Sequence, residues 1–218
     1  KNWVVAQDKI NLDGQLKLFK THQGKYTVEN DSFTNSENTL ATIYIIRDPR
    51  NLVRSISNHY TKSLNDSCDF LLSSQIIGNR ESYEKKKGGI YNLLGKWNDH
   101  YRSWTTNKNN LLLIKYEDLI KDTRAELKKT IKFLQKYLVF EVNENKINNI
   151  LETTSFKNLK EMEKKGLFKE NVLNKQDGSK VDFFHLGPKN SWKENFNKEL
   201  ISKIEKNFYS EMKELGYL

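Results

Sequence analysis

Two short stretches carry side chains able to manage an anion and a proton. The first is Arg47-Asp48-Pro49-Arg50-Asn51-Leu52-Val53-Arg54-Ser55-Ile56-Ser57. Asp48 suits a helix N-cap, and Pro49 suits the first turn, where a fixed φ and a missing N–H cost nothing. Such a helix start offers free N–H groups and positive partial charge to an anion. Arg47 adds a bidentate grip on a phosphate, and Ser55, about two turns further on, adds a hydroxyl. A well-capped surface helix with an Arg–Asp pair has the same pattern. The second stretch is Phe19-Lys20-Thr21-His22. An imidazole takes a proton from a hydroxyl near neutral pH, and a neighbouring lysine neutralises charge growing on a group in transfer. A loop histidine that only bonds a main-chain carbonyl is the plainer alternative.

Both stretches need elements to hold them. Leu16–Phe19, Thr42–Ile46 and Leu111–Ile114 are short apolar runs bounded by polar residues, as strands of a buried parallel sheet should be. Open parallel sheets take ligands beyond the carboxyl ends of their strands, where Lys20, His22 and Arg47 then fall. Helical patterns lie between these runs, over Leu52 to Tyr60 and Ile90 to Trp104. Thr123 and Glu126 match a capping box ahead of an apolar stripe at Leu127, Ile131, Leu134 and Leu138. A last helix carries Leu200, Ile204, Phe208, Met212 and Leu215 and ends beside Gly216. Glu81–Gly89 and Glu163–Lys180 are rich in Lys, Gly, Asn and Asp and are expected as loops. Strands alternating with helices make the fold class α/β.

Composition narrows the classes. With 218 residues, 36% hydrophobic and 11% aromatic, the chain supports one substantial core in a single domain, and intrinsic disorder is excluded. Mean hydropathy of −0.79 without a long apolar run excludes a membrane-spanning helix. Pro49 and Pro188 are the only prolines, so a proline-rich linker is also out. Cys68 stands alone, which points to a reducing compartment and a cytoplasmic protein. The four histidines are scattered without ligand spacing, so no metal is expected. A formal charge of +9 implies attraction to polyanions without saying which.

In order along the chain, the chemistry-bearing segments resemble a family. Phe19-Lys20-Thr21-His22 and Tyr44 to Ser55 look like the cytosolic-type sulfotransferases that use 3′-phosphoadenosine 5′-phosphosulfate (PAPS). Gly95-Lys-Trp97-Asn-Asp-His100-Tyr-Arg-Ser-Trp104 is similar to that family's Gly, Trp, His, Trp helix, and Leu113 to Asp118 to its strand ending in Tyr-Glu-Asp. Thr154-Ser155-Phe156 followed by Met162 matches its Thr-Ser-Phe segment. His185-Leu186-Gly187, then Trp192-Lys193, stands where the family has Arg-Lys-Gly, then Trp-Lys.

The resemblance implies a three-layer, P-loop-like fold, with a central, mainly parallel sheet flanked by helices. It implies His22 as general base and Lys20 as stabiliser of the sulfuryl group. Arg47, Ser55 and the His185-Leu186-Gly187 segment would hold the 3′-phosphate of PAPS. Tyr116, Thr154, Ser155 and Phe156 would hold the adenine. His100 would line the acceptor pocket or pack between Trp97 and Trp104. Glu117 and Asp118 are expected as cap and turn residues.

Two departures stand out. No Lys-Ser-Gly-Thr-Thr-Trp type segment precedes Lys20, so the family's phosphosulfate loop is expected upstream of Lys1, with residues 1–218 as a domain lacking its N-terminal part. His185 and Leu186 replace two cations, which leaves Arg47, the N–H groups near Gly187 and Lys189 or Arg54 for the phosphate, so weaker donor binding or a compensating Arg or Lys from elsewhere is expected. The acceptor would be a small molecule or a glycan, without nucleic acid or membrane span. The competing expectation is a non-catalytic α/β module that binds nucleic acid or another polyanion through its Lys-rich faces.

Overall fold

The computed structural model describes residues 3–10, 12–78, 91–106, 108–168, 172–174, 177–194 and 196–218. The chain divides into two compact units, Lys1–Tyr44 with Phe70–Leu113, and Ile45–Asp69 with Ile114–Leu218. Thr42–Ile46 and Leu111–Lys115 pair as parallel strands, as the apolar runs indicate. The chain passes from the first unit to the second within each of these strands.

In the first unit, the expected strand Leu16–Phe19 is absent. These residues form no ladder, and Leu18 and Phe19 are about 70% exposed. A short run such as Leu-Lys-Leu-Phe becomes a strand only where a neighbour pairs with it, and none of the described strands does. The expected helix over Ile90–Trp104 is instead a strand and a shorter helix. Tyr91–Gly95 pairs antiparallel with Gln75–Gly78, and the helix runs from Trp97 to Thr105. Gly95 makes the break: its φ of +67° suits no side chain, and the Tyr26 hydroxyl occupies the space where a Cβ would stand. The helix Trp97–Thr105 buries Trp97, Tyr101 and Trp104. Trp104 meets Phe33 edge-on at 6.1 Å, and Phe33 meets Trp3 of the helix Trp3–Ile10 at 5.8 Å.

In the second unit, the helix Pro49–Tyr60 begins as the sequence indicates, with Asp48 accepting from Arg50 N at 2.9 Å and Pro49 in the first turn. The helix Thr123–Leu134 is capped by Asp122, which accepts from Ala125 N at 2.9 Å, rather than by Thr123. The Thr123 hydroxyl is spent on Leu119 O at 2.8 Å. Leu138 falls beyond that helix. Helices Tyr116–Lys121, Glu144–Thr153 and Phe156–Lys164 also belong to this unit.

The expected last helix is two, Lys198–Asn207 and Tyr209–Glu214, divided at Phe208. Its apolar set is still buried together: Ile204, Phe208 and Met212 are 0–1% exposed. Burying each such side chain contributes roughly 1.5–3 kcal/mol. Of the expected loops, Glu81–Gly89 lies outside the described residues. Glu163–Lys180 holds a helix end and a short hairpin, Val172–Leu173 with Lys180–Val181. Among the described residues no helix is long and apolar enough to cross a membrane.

Candidate functional site

The second unit gathers one set of sequence-predicted residues. Arg47 follows the strand Thr42–Ile46, and its guanidinium donates from Nη1 to Ser55 Oγ at 3.2 Å. It also lies over the Tyr116 ring, 4.3 Å from the centroid, a cation–π contact. Burial pulls the Arg47 pKa down, against the charges of Tyr116, Glu117 and Asp48. Its Nε is buried with no partner among the described residues. A partly desolvated guanidinium, with a donor unspent, is suited to an anionic ligand.

The helix start contributes less than the sequence suggests. Pro49 has no N–H, Arg50 N is taken by the Asp48 carboxylate, and Asn51 N and Leu52 N bond Asp48 O at 3.0 and 3.1 Å. The free N–H groups expected for an anion are therefore occupied, and anion binding at this end falls to side chains. Glu117 is likewise no simple cap. Its Oε1 accepts from Asp48 N at 3.1 Å and its Oε2 from the Tyr217 hydroxyl at 3.0 Å. Burial, and then the Glu117 charge, push the Tyr217 pKa far up, so the phenol stays a donor. Arg50 completes this wall. It forks onto Asp48, reaches Glu205 at 2.5 Å and Tyr217 O at 2.7 Å, and stacks over Trp192 at 3.9 Å.

The segment carrying His185, Leu186 and Gly187 is held from several sides. The buried Glu163 carboxylate accepts from Phe183 N at 2.6 Å and Phe184 N at 3.0 Å. Gly187 has φ +53°, and a Cβ there would run into the Phe156 ring. This is a cradle only glycine fits, and it brings Phe156 against the segment the resemblance assigns to the nucleotide. Lys160 donates to His185 O at 3.3 Å, which places a cation beside the position where the family has Arg-Lys. Of the cations left for the phosphate, Arg54 points to Glu194 O at 3.5 Å. Thr154 spends its hydroxyl on Ile150 O at 2.6 Å, and Ser155 caps the helix Phe156–Lys164 by accepting from Asn158 N. From the end of the segment, Asn190 donates to Asn51 O and to Ser55 Oγ, both at 3.0 Å, and Trp192 N bonds Asn51 Oδ1 at 2.8 Å. Asn190 carries no motif, so sequence reasoning passed over it.

The first unit holds the other set. Lys20 and His22 sit in no strand, and both side chains are exposed. Main-chain bonds around them fix the path. Gly24 N donates to Leu93 O at 2.9 Å, Leu93 N to Gln23 Oε1 at 2.7 Å, and Trp104 Nε1 to Gln23 O at 3.0 Å. The His100 ring meets the Tyr44 ring at 5.7 Å, while Trp97 stacks on Tyr101 and Trp104 meets Phe33 edge-on. His100 Nε2 meets His22 O at 3.3 Å and its Nδ1 meets the Tyr44 hydroxyl at 2.8 Å. Burial lowers the His100 pKa, against the opposing effect of the hydrogen bond to the His22 carbonyl. Burial also raises the Tyr44 pKa, so its hydroxyl stays protonated. Among the described residues no three His, Cys, Asp or Glu side chains gather as metal ligands would.

Comparison with known proteins bears on this chemistry. The family model described as Sulfotransferase domain matches residues 4–216. Rabbit (Oryctolagus cuniculus) amine sulfotransferase is 26% identical over 94% of this chain and 65% of its own length. Photinus pyralis luciferin sulfotransferase is 27% identical over 89% of this chain and 50% of its own. Cavia porcellus 3-beta-hydroxysteroid sulfotransferase is 28% identical over 96% and 69%. The chain thus spans about half to two-thirds of the curated relatives it matches. The crystal structure of mouse sulfotransferase SULT7A1 complexed with PAP superposes with a TM-score of 0.54 at 24% identity, covering 79% of this chain and 58% of that one. That likeness fixes the fold as α/β of the P-loop-like sulfotransferase type.

Proposed function

The chain belongs to the sulfotransferase domain family, and from that premise we propose that it moves a sulfuryl group from PAPS to a small-molecule hydroxyl or amine. The acceptor oxygen or nitrogen attacks sulfur, the bond from sulfur to the 5′-phosphate oxygen breaks, and adenosine 3′,5′-bisphosphate leaves. His22 takes the acceptor's proton, and Lys20 offsets charge on the moving group. Arg47 and Ser55 hold the 3′-phosphate, helped by the His185–Gly187 segment, with Lys160 supplying charge where the family's Arg-Lys is missing. Tyr116, Thr154, Ser155 and Phe156 face the adenine, and His100 stands at the acceptor side. The chemistry rests on positioning and on cations, so no metal is required. The family model covers both compact units, which supports treating residues 1–218 as one domain. Lone Cys68 and the relatives' small acceptors favour a cytoplasmic enzyme over a glycan-modifying one.

The single observation carrying this proposal is Arg47 half-buried between Ser55 Oγ and the Tyr116 ring with Nε unspent. The test is calorimetric titration of the protein with adenosine 3′,5′-bisphosphate. Saturable binding in moderate salt, lost in Arg47→Ala, is the expected result. Salt-sensitive binding to any polyanion, indifferent to Arg47, would instead support a polyanion-binding module.

A further inference from the structure

We propose that Asn190 is a positioning residue of this anion site, one that obliges the Ser55 hydroxyl to donate outward to the ligand's phosphate. The inference rests on the assignment of Arg47 and Ser55 to the 3′-phosphate and names a residue the family resemblance does not supply. Asn190 is 8% exposed, and its Nδ2 lies 3.0 Å from both Asn51 O and Ser55 Oγ. A main-chain carbonyl only accepts, so the nitrogen end of the amide must face Asn51, which fixes its orientation. Both amide hydrogens are then committed.

A serine inside a helix ordinarily donates its hydroxyl back to the carbonyl four residues earlier. For Ser55 that carbonyl is Asn51 O, which already serves the helix ladder and accepts from Asn190. Ser55 Oγ also receives two donors, Asn190 Nδ2 and Arg47 Nη1, and neither group can accept in return at those atoms. With both lone pairs taken and the back-bond acceptor filled, the remaining capacity of Ser55 is its O–H. A phosphate oxygen is a pure acceptor and completes the set. Asn190 Oδ1 is itself buried with no donor among the described residues, so the amide is not placed there to satisfy its own bonds.

The experiment measures binding of adenosine 3′,5′-bisphosphate and adenosine 5′-monophosphate by calorimetry to the full chain and to Ser55→Ala, Asn190→Ala and the double variant. Each single variant should weaken the bisphosphate about ten-fold, as loss of one hydrogen bond to a charged group does. The double variant should be no weaker than Ser55→Ala, and the monophosphate should bind all four proteins alike. Asn190→Ala behaving as the parent, adding in full to Ser55→Ala, or weakening both nucleotides equally overturns the inference. Ser55→Ala leaving the bisphosphate unaffected overturns the phosphate assignment itself and this inference with it. Should Asn190→Ala not fold, the isosteric Asn190→Asp takes its place. Its carboxylate cannot donate to Asn51 O and draws the Ser55 hydroxyl to itself, so it must weaken the bisphosphate at least as much.

Discussion

His100 donates its Nε2–H to the main-chain carbonyl of His22 at 3.3 Å and accepts the Tyr44 hydroxyl at Nδ1 at 2.8 Å. The tautomer follows, because the carbonyl can only accept. A neutral ring therefore ties the strand carrying Tyr44 to the residue before Gln23. Protonation puts a second N–H against the Tyr44 oxygen in a half-buried place, and the His100 pKa is lowered accordingly, chiefly by burial.

Stability should thus fall in mild acid. In the unfolded chain His100 titrates near its ordinary 6.5, while in the fold it titrates lower. Between those values the unfolded chain binds a proton that the folded chain does not. Stability is then full above 6.5 and declines as pH drops toward the folded value. Urea unfolding at a series of pH values should show that decline in the parent protein and a flatter profile in His100→Phe. Equal slopes in both would place the acid sensitivity elsewhere.

Replacing His22 should separate chemistry from folding. Its side chain is exposed, and its path is fixed by main-chain contacts. His22→Ala should lower kcat by about 10²–10⁴ if the imidazole is the general base, with the melting temperature within a degree or two of the parent. Unchanged turnover would remove the proton-transfer role.

Gly187→Ala should cost stability and, on the nucleotide-holding role proposed for its segment, binding of adenosine 3′,5′-bisphosphate as well. The position combines φ +53° with a Cβ path into the Phe156 ring. The left-handed backbone alone costs about 1–2 kcal/mol. Adding Phe156→Ala should recover the steric part and not the backbone part, which a denaturant series on the three variants would resolve.

Arg50 and Glu205 form one ion pair but should differ greatly under mutation. Arg50→Met leaves Asp48, 4% exposed, as an unpaired buried carboxylate, a loss of about 3–5 kcal/mol. Glu205 is 31% exposed, so Glu205→Gln should cost under about 1 kcal/mol. Chemical denaturation of both variants checks the contrast.

What the sequence made legible was local. Asp48-Pro49 announces a helix start because capping and proline geometry act within a few residues. The apolar set from Leu200 to Leu215 is visible by its spacing, and burial follows it even across the break at Phe208. Leu16–Phe19 misled because a strand depends on a partner elsewhere in the chain. Ile90–Trp104 misled because Gly95 turns the chain between two apolar groups, and Tyr26, far away in sequence, packs against that turn. Among site residues, Arg47 and Ser55 are eight apart, one just ahead of the helix Pro49–Tyr60 and the other within it, and could be paired by inspection. Asn190 lies 135 residues from Ser55, and Glu117 69 residues from Asp48, so neither pairing shows in the spacing of the letters.

The chain near position 22 is anchored through peptide groups: the carbonyls of His22 and Gln23 accept, and the amides of Gly24 and Lys25 donate. Among the described residues, none of these anchors uses the imidazole. Position 22 is thus a socket whose plug can be exchanged while the surrounding wiring stays intact. A descendant carrying a different side chain there would inherit the scaffold unchanged, so the chemical character of this spot can evolve without renegotiating the fold.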